Sequence, residues 1–275
     1  MVLRPPSQRN SPRFKSLEHR LLSATAFHHQ ITEYDRVRPG YGEQLHQLMP
    51  QNLSSLTIHD MGAGTGKLTG LFARLSHHSQ LSRPYALTAS DPSPVMVRIF
   101  HSLYPRIPVW RATAENTALA DSSVDLIGCA QTWHWVDIHR ACQECDRILK
   151  PGGKILLAWN TLDVSEPWVL RLARIMHSGD IQREGFEPEL ATPFVVEKEL
   201  RDTWVQEVSP RDIHTLTHTR SYWLRSNETI RKRVTDNLNW YLHEHLGFGR
   251  EEKIALPYRL DAFVVGRSAD KSKSE

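Results

Sequence analysis

Short apolar runs alternate with amphipathic stretches between residues 56 and 160, and this alternation constrains the fold more than any other feature of the chain. Repeated strand–helix units of this kind predict a parallel sheet that is covered by helices on both faces. The predicted strands are LTIHDM (56–61), YALTAS (85–90), IPVWRA (107–112), VDLIGCAQ (124–131) and KILLAWN (154–160).

Three amphipathic segments between these strands predict helices. The first begins at a glycine-rich loop and runs through LTGLFARL, the second is VMVRIFHSL after Pro94, and the third is IHRACQECDRILK. The third helix is expected to end before Pro151, Gly152 and Gly153, because cations in a last turn followed by proline and glycine are typical of a helix end.

The regular alternation stops after Asn160. Residues 161–259 are interpreted as mixed helices and loops with an amphipathic helix near 228–243, and LDAFVVGR (260–267) is predicted to be a late strand that returns to the sheet. We therefore predict one domain over 26–267, with a cap and substrate region at 161–259, a flexible basic tail at 1–25 and a disordered tail at 268–275. An organelle transit peptide stays open as an alternative for the basic tail.

Composition excludes several classes of function. The chain has 275 residues, of which 40% are hydrophobic, and no apolar run is long enough to cross a bilayer. A net charge of +3 is too small to predict a nucleic-acid partner. Three cysteines are too few for a disulfide framework and favour a cytoplasmic location. Because Cys142 and Cys145 lie inside a predicted helix and have no second pair with which to bind zinc, no metal is expected.

The segment HDMGAGTGKLTG (59–70) carries three glycines on alternate positions. A phosphate-binding P-loop would need a glycine where Met61 stands, and Ser or Thr after Lys67, where the chain has Leu68. A dinucleotide fingerprint would need a glycine in place of Lys67, although this fingerprint tolerates variants. The P-loop interpretation therefore fails, and the dinucleotide interpretation stays as a weaker alternative.

Two acids at predicted strand ends suggest a different ligand. Asp60 precedes the glycines and would repel a phosphate but attract an ammonium or sulfonium group, while the following helix offers N–H groups to a carboxylate. Asp91 follows the second predicted strand, where an acid can bind both hydroxyls of a ribose. A ligand that combines a carboxylate, a positive charge and a nucleoside is S-adenosylmethionine.

Five segments in order strengthen that interpretation: DMGAGTGKLTG, TASDPSPVM, TAENTALADSSVDLI, AQTWHWVD and RILKPGGKILLAWN. Over roughly residues 28–160 they resemble the successive motifs of class I S-adenosylmethionine-dependent methyltransferases of the type 11 group, which includes ubiquinone, menaquinone and trans-aconitate methyltransferases. The resemblance implies S-adenosylmethionine as the cofactor. It also implies an α/β, Rossmann-like fold: a mostly parallel sheet of seven strands with helices on both faces and a helical cap after the fifth strand.

The resemblance also implies which residues bind the cofactor. Asp60 and the glycines would form the methionine side of the site, and Asp91 would bind the ribose. Thr113 stands where many relatives have an aspartate for the adenine amino group. The N-terminal segment YDRVRPGY would close over the cofactor, although a helix-to-loop junction explains this segment equally well. The implied cofactor-binding residues are Tyr34, Arg38, Asp60, Gly62, Gly64, Gly66, Asp91, Pro92, Ala114, Glu115 and Gln131.

The segment AQTWHWVD follows the fourth predicted strand, at the sheet edge where ligands bind in such folds. His134 and Trp135 are candidate catalytic residues, since His134 could take a proton from a hydroxyl acceptor. The alternative that His134 only bonds a loop is favoured, and a carboxylate acceptor would need no base. Trp133, Arg220 and Tyr222 are candidate acceptor-binding residues, with Arg220 pairing an acidic acceptor.

These features together predict an enzyme that transfers a methyl group from S-adenosylmethionine to a small-molecule acceptor, at an oxygen of a carboxylate or a hydroxyl. Two alternatives stay open: a methyltransferase that acts on protein or RNA, and a non-catalytic protein that binds the cofactor.

Overall fold

The computed structural model describes residues 35–50, 56–78, 86–178 and 181–268. The predicted tail at 1–25, nearly all of the tail at 268–275, and Tyr34 lie outside the described residues. Among the helices of the described part of the chain, none is both long and apolar enough to span a membrane.

Seven strands form one sheet in the order β3-β2-β1-β4-β5-β7-β6, and their pairings are mostly parallel. The parallel pairs include β1 with β2, β1 with β4, β2 with β3 and β4 with β5. The prediction of a Rossmann-like, mostly parallel sheet is therefore confirmed. The strands are β1 (Thr57–Met61), β2 (Ala86–Asp91), β3 (Val109–Arg111), β4 (Val124–Ala130), β5 (Leu149–Leu162), β6 (Phe194–Val208) and β7 (Ile254–Arg267).

The helices lie between these strands and begin at recognisable capping residues. Ser93 and Asp137 accept backbone N–H groups at the starts of two of them, and Ser209 with Asp212 forms a reciprocal capping box at the start of a third. The α-helices are α1 (Lys67–His78), α2 (Pro94–Leu103), α3 (Ile138–Ile148), α4 (Pro167–Ile175), α5 (Pro210–His218), α6 (Ser221–Arg225) and α7 (Glu228–Asn239). A π-helix, Trp240–His245, continues α7.

The strand predicted at 154–160 is longer in the structure. Strand β5 begins at Leu149, directly after α3, and its pairing with β4 shifts register between Val124 and Leu126. Gly152, with φ of +78°, lies in the stretch that this shift leaves out of the regular pairing. The proline and glycines therefore form an irregular stretch within a strand, instead of separating a helix from a later strand.

The interpretation of residues 161–259 as helices and loops is wrong in two places. This region contains all of β6, and β7 begins at Ile254 instead of residue 260. Strand β6 lies at the edge of the sheet, and the consecutive residues 195–199 are all exposed. Such a strand lacks the alternation of apolar and polar residues that reveals a half-buried strand.

The described chain divides into two compact units. Unit 1 comprises the described residues up to Pro39, Asn160–Phe186 and Asp202–Leu260, and unit 2 comprises Gly40–Trp159, Glu187–Arg201 and the described residues from Asp261 onward. The apolar core of unit 1 includes Val37, Leu172 and Leu238, which are almost completely buried. The predicted single domain over 26–267 stays a prediction.

Candidate functional site

The glycine-rich loop follows β1 in unit 2, and each of its three alternate glycines has a positive φ, of +70° at Gly62, +58° at Gly64 and +94° at Gly66. A Cβ on Gly62 would lie 2.3 Å from Thr132 Cγ2, and one on Gly66 would lie 2.6 Å from Tyr104 Cε2. A Cβ on Gly64 would meet no atom of the described residues within 4 Å. The first and third glycines are therefore needed for packing as well as conformation, whereas Gly64 faces open space.

Backbone hydrogen bonds fix this loop to the end of β2. The Gly62 and Ala63 N–H groups both donate to the Ser90 carbonyl, at 2.8 and 3.0 Å. Behind this carbonyl, the His59 ring lies between two hydroxyls, with Nε2 at 2.9 Å from Ser90 Oγ and Nδ1 at 3.0 Å from Thr88 Oγ1. Burial lowers the pKa of His59 to about 4, so this ring is neutral and serves as a hydrogen-bonded link between β1 and β2.

Asp60 is 1% exposed at the end of β1. Its Oδ2 accepts a hydrogen bond from the Thr69 hydroxyl, while its buried Oδ1 has no hydrogen-bond partner among the residues that the structure describes. Burial, opposed by hydrogen bonds from Thr69 and assisted by the charge of Asp91, raises the pKa of Asp60 to about 7. A buried carboxylate oxygen without a donor is a position at which a bound cation would stabilise the ionised form.

Asp91 ends β2 and is 8% exposed. Its Oδ2 accepts the Gly64 N–H at 2.9 Å, and its Oδ1 accepts the Ser93 N–H at 2.8 Å. Burial raises the pKa of Asp91 to about 6 in spite of these two bonds. Because a carboxylate oxygen can accept more than one hydrogen bond, Asp91 can fix the glycine loop and still accept hydroxyl donors from a ligand.

The residues expected along an adenine lie on two loops of unit 2. Pro92 follows β2, and its carbonyl accepts the Arg111 Nε–H at 3.1 Å. Ala114 is buried, and the Glu115 carboxylate accepts the Asp137 N–H at 2.8 Å, next to the start of α3. Glu115 therefore has a structural bond of its own, whatever else it contacts.

The segment after β4 has a constrained backbone. Gln131 has a φ of +51°, which is uncommon for a residue with a side chain, and its N–H donates to the Ala158 carbonyl at 2.9 Å. The hydroxyl of the next residue, Thr132, donates to the Gly62 carbonyl at 2.9 Å. This bond joins the end of β4 directly to the glycine loop.

A short 3-10 helix, Trp133–Trp135, follows. Trp133 is 2% exposed, and its indole N–H donates to the Glu189 carbonyl at 2.9 Å. The Trp159 indole N–H donates to His134 Nδ1 at 3.1 Å, and the Trp135 ring lies 5.2 Å from the His134 ring between centroids. Since an indole nitrogen can only donate, Nδ1 of His134 is the acceptor, and a neutral imidazole then carries its proton on Nε2.

Unit 1 holds the other candidate residues that the structure describes. Arg220 precedes α6 and is 6% exposed. Tyr222 lies on α6 with its ring stacked on His177, 3.8 Å between centroids. The Arg38 guanidinium donates hydrogen bonds to the hydroxyl and to the carbonyl of Thr219.

The cysteines and acids of the described residues form no group of three or more ligands that could hold a metal ion. Cys129, Cys142 and Cys145 are all buried and free. Burial raises the pKa of each thiol, which keeps these side chains protonated.

The structure thus gathers most of the predicted site in unit 2. Asp60 and Asp91 lie close enough for their charges to interact, and Gly64 contacts Asp91 directly. Contacts from Thr69 and Thr132 complete the loop but were not predicted. Thr69 lies on α1, nine residues after Asp60, and Thr132 lies 70 residues after Gly62, and no motif indicates either bond. The predicted residues in unit 2 are Asp60, Gly62, Gly64, Gly66, Asp91, Pro92, Ala114, Glu115, Gln131, Trp133, His134 and Trp135.

Comparisons with known proteins agree with this geometry. Residues 59–157 match the model of a family described as a methyltransferase domain. An uncharacterised methyltransferase of Mycobacterium tuberculosis is 34% identical over 235 residues, which cover 85% of this chain and 92% of that protein. The malonyl-[acyl-carrier protein] O-methyltransferase of Methylococcus capsulatus is 34% identical over 146 residues, which cover 52% of this chain and 49% of that protein.

A solved structure supports the fold. It is a proposed type II methyltransferase from Anaeromyxobacter dehalogenans, with a TM-score of 0.52 and 22% identity, and the match covers 84% of this chain and 97% of that one. The family match, the full-length relative and the fold together confirm the expected enzyme class and its cofactor. The chain belongs to the type 11 group of class I S-adenosylmethionine-dependent methyltransferases.

Proposed function

We propose that this methyltransferase acts on an oxygen of a small-molecule acceptor, and that the acceptor group is a carboxylate. The observation that carries this proposal is Arg220, a permanently charged guanidinium that is 6% exposed and adjoins the aromatic helix α6. A guanidinium binds a carboxylate through two parallel hydrogen bonds, which would orient such an acceptor. The Methylococcus capsulatus relative, named an O-methyltransferase, supports transfer to oxygen.

The cofactor residues of unit 2 have complementary roles in this proposal. The partnerless Oδ1 of Asp60 accepts the ammonium group of the cofactor, and the open space at Gly64 receives its methionine part. Asp91 accepts the ribose hydroxyls, while Pro92, Ala114 and Glu115 border the adenine. When bound, S-adenosylmethionine supplies an electrophilic methyl group on a sulfonium.

The hydrogen bond at His134 favours a carboxylate over a hydroxyl acceptor. Nδ1 of His134 accepts from Trp159, so the neutral ring has its proton on Nε2 and cannot take a second proton without losing that bond. A hydroxyl acceptor would need such a base, whereas a carboxylate is already ionised at neutral pH. We therefore assign His134 a positioning role, and Gln131, Trp133 and Trp135 the walls of the transfer site.

Calorimetric titration with S-adenosylhomocysteine tests the cofactor part of this proposal. We expect micromolar binding by the wild-type protein and at least tenfold weaker binding by Asp91→Ala. Equal binding by the two proteins would remove the ribose role of Asp91.

A panel of small carboxylates and phenols, assayed for methyl transfer, tests the acceptor part. We expect turnover of carboxylates only, an increase in acceptor KM of about 10- to 100-fold in Arg220→Gln, and a change in kcat below about tenfold in His134→Gln, which keeps an acceptor for Trp159. Turnover of phenols alone, with a loss of kcat above 100-fold in His134→Gln, would replace this proposal with base-assisted transfer to a hydroxyl.

A further inference from the structure

Residues 35–39, which we call the strap, contact the N-terminal end of helix α5. The Arg36 guanidinium forms an ion pair with Asp212, the acidic member of the capping box that begins α5. Burial opposes ionisation of Asp212, but hydrogen bonds from Ser209 and Arg36 outweigh it and hold the pKa of this carboxyl below its usual range. The strap therefore contacts the first turn of α5 through a charged pair.

The middle of the strap is held by packing and by one hydrogen bond. Val37 is 2% exposed and belongs to the same apolar core as Ile213 and Leu216 of α5. The Val37 carbonyl accepts a hydrogen bond from Gln206 Nε2 at 3.2 Å. These contacts fix the position of the strap backbone, and with it the backbone positions from which the Arg36 and Arg38 side chains extend.

Arg38 fastens the strap to the other end of α5. Its Nε donates to Thr219 Oγ1 at 3.0 Å, and its Nη2 donates to the Thr219 carbonyl at 2.8 Å. The Thr219 hydroxyl in turn donates to the Leu216 carbonyl at 2.7 Å, at the C-terminal end of the helix. A nine-residue helix is roughly 13 Å long, so three consecutive strap residues contact it over its whole length.

Thr219 connects the bonds from Arg38 to Arg220, the arginine that binds the methyl acceptor in our proposal. The turn from α5 to α6 consists of Thr219 and Arg220, and the Arg220 N–H donates to the Thr217 carbonyl at 3.1 Å. The Arg220 carbonyl accepts the Leu224 N–H at 3.1 Å and so begins α6. Two hydrogen bonds from Arg38 thus immobilise the residue immediately before Arg220.

We infer that Arg38 is a positioning residue for Arg220 and acts by clamping the α5–α6 turn. This role differs from the cofactor contact that the family resemblance implies for Arg38, because the donors on one edge of the guanidinium are directed at Thr219. The clamp itself stands on the contacts within unit 1. Its consequence for the acceptor rests on the proposed function, in which Arg220 binds the acceptor carboxylate.

Hydrogen exchange measured by mass spectrometry tests the clamp. Arg38→Ala is expected to speed amide exchange in peptides that cover residues 217–224 by at least tenfold. Thr219→Val removes the hydroxyl that accepts from Arg38 and donates to the Leu216 carbonyl but leaves the Thr219 carbonyl in place for Arg38, and it is expected to speed exchange to a smaller extent. Arg36→Ala is the matched control, since it loosens the strap at the far end of α5 and should leave these peptides unchanged. Unchanged exchange in Arg38→Ala would overturn the inference, whatever the effect of Thr219→Val.

Binding of S-adenosylhomocysteine, compared with the analogue that lacks its carboxylate, separates positioning from cofactor contact. If Arg38 positions the turn, removal of the carboxylate weakens binding by the same factor in wild type and in Arg38→Ala. If Arg38 binds the carboxylate, that factor falls toward one in Arg38→Ala, and the inference is wrong. The wild-type titration reports separately on the proposed cofactor site, so its failure is distinguishable from failure of the clamp.

Kinetics with the best carboxylate from the acceptor panel test the consequence for catalysis. Arg38→Ala should raise the acceptor KM at least fivefold while the cofactor KM changes less than twofold, and Arg38→Lys should recover only part of the loss because lysine lacks the planar pair of donors. An increase confined to the cofactor KM would contradict the positioning role.

Discussion

Asp60 and Asp91 share an unusual property for acidic residues, since burial raises their pKa values to about 7 and about 6. Each carboxyl is therefore partly protonated near neutral pH in the free protein. A ligand that brings a positive charge to Asp60 favours the ionised form, so ligand binding and proton release are coupled. The side chains that bind the cofactor in our proposal also determine how this binding depends on pH.

The affinity for S-adenosylhomocysteine should therefore weaken as the pH falls. The ammonium group of this ligand requires ionised Asp60, and the ionised fraction drops about tenfold for each pH unit below the pKa. Between pH 8 and pH 5.5 we expect the Kd to increase by roughly 30-fold or more, measured by calorimetry. Asp60→Asn is the control and should bind weakly with a much flatter pH dependence. A wild-type Kd that is constant over this range would contradict the assignment of Asp60.

The same carboxyl lowers the stability of the free protein above neutral pH. The pKa of Asp60 is about 7 in the folded state and about 4 in an unfolded chain, so the folded state binds a proton at this carboxyl more tightly than the unfolded state does. The contribution of this proton to folding stability is therefore lost as the pH rises from about 4 to about 7. Asp60→Asn keeps an acceptor for Thr69 without the charge. We expect this variant to have a higher Tm than wild type at pH 8 in the absence of ligand, by differential scanning calorimetry, and to show no increase on addition of S-adenosylhomocysteine. A lower Tm would mean that the charge of Asp60 is already stabilised in the free protein.

The site residues that could be predicted are those that a single short sequence motif identifies. The glycines and the acid at the end of β1 follow from a short segment, and so does the acid at the end of β2. The bond from Trp159 to His134 and the bond from Thr69 to Asp60 could not be predicted. The first joins the end of β5 to the short helix after β4, and the second depends on how α1 packs against the end of β1. These unpredicted bonds are the ones that decide whether a side chain is available for proton transfer.

Among the elements, the glycine-rich loop combines two different requirements for glycine. At Gly62 a methyl group would overlap Thr132, whose hydroxyl is fixed by its bond to the Gly62 carbonyl. At Gly64 the space is open and only the left-handed backbone disfavours a side chain. Packing therefore requires the first glycine, and in our proposal the approach of the cofactor requires the second.

This difference predicts that alanine at Gly62 mainly reduces folding stability, whereas alanine at Gly64 mainly reduces ligand affinity. Gly62→Ala should lower the free energy of unfolding by about 2–4 kcal/mol, since backbone strain and overlap add. Gly64→Ala should lower it by about 1 kcal/mol and weaken S-adenosylhomocysteine binding at least tenfold. Urea denaturation and calorimetry on the two variants measure both quantities. Normal affinity in Gly64→Ala would show that the ligand does not approach the loop at this position.

The strands that sequence analysis predicted are more deeply buried than β6, the strand that it missed. Strands β1 and β4 are short and largely buried, and their positions were predicted to within a residue or so. Strand β6 carries charges on consecutive residues, and its apolar Val205 is 60% exposed. The first half of β6 has consecutive exposed residues and therefore no periodic pattern to detect. Its place in the sheet depends on pairing with β7, which no local signal encodes.

For the whole molecule, each unit has its own task in our proposal. Unit 2 contains the cofactor residues of our proposal, and unit 1 contains Arg220, the strap and an apolar core of its own. Folding stability draws on the apolar cores of both units, whereas the proposed site makes cofactor affinity depend on the loops of unit 2. Stability and cofactor binding should therefore respond differently to a substitution in the core of unit 1.

Leu172→Ala is suited to test this separation, because Leu172 is completely buried in the core of unit 1 and the cofactor residues of our proposal belong to unit 2. Truncating a buried leucine to alanine removes apolar contacts and leaves a cavity, so the free energy of unfolding should fall by about 2–5 kcal/mol in urea denaturation. The Kd for S-adenosylhomocysteine, measured at a temperature where the variant is folded, should stay within twofold of wild type. Leu71→Ala, at a completely buried position on α1 next to the glycine loop, provides the matched control and should alter both quantities. If Leu172→Ala weakens cofactor binding tenfold, cofactor affinity depends on the core of unit 1 as well, and the division of tasks between the units is wrong.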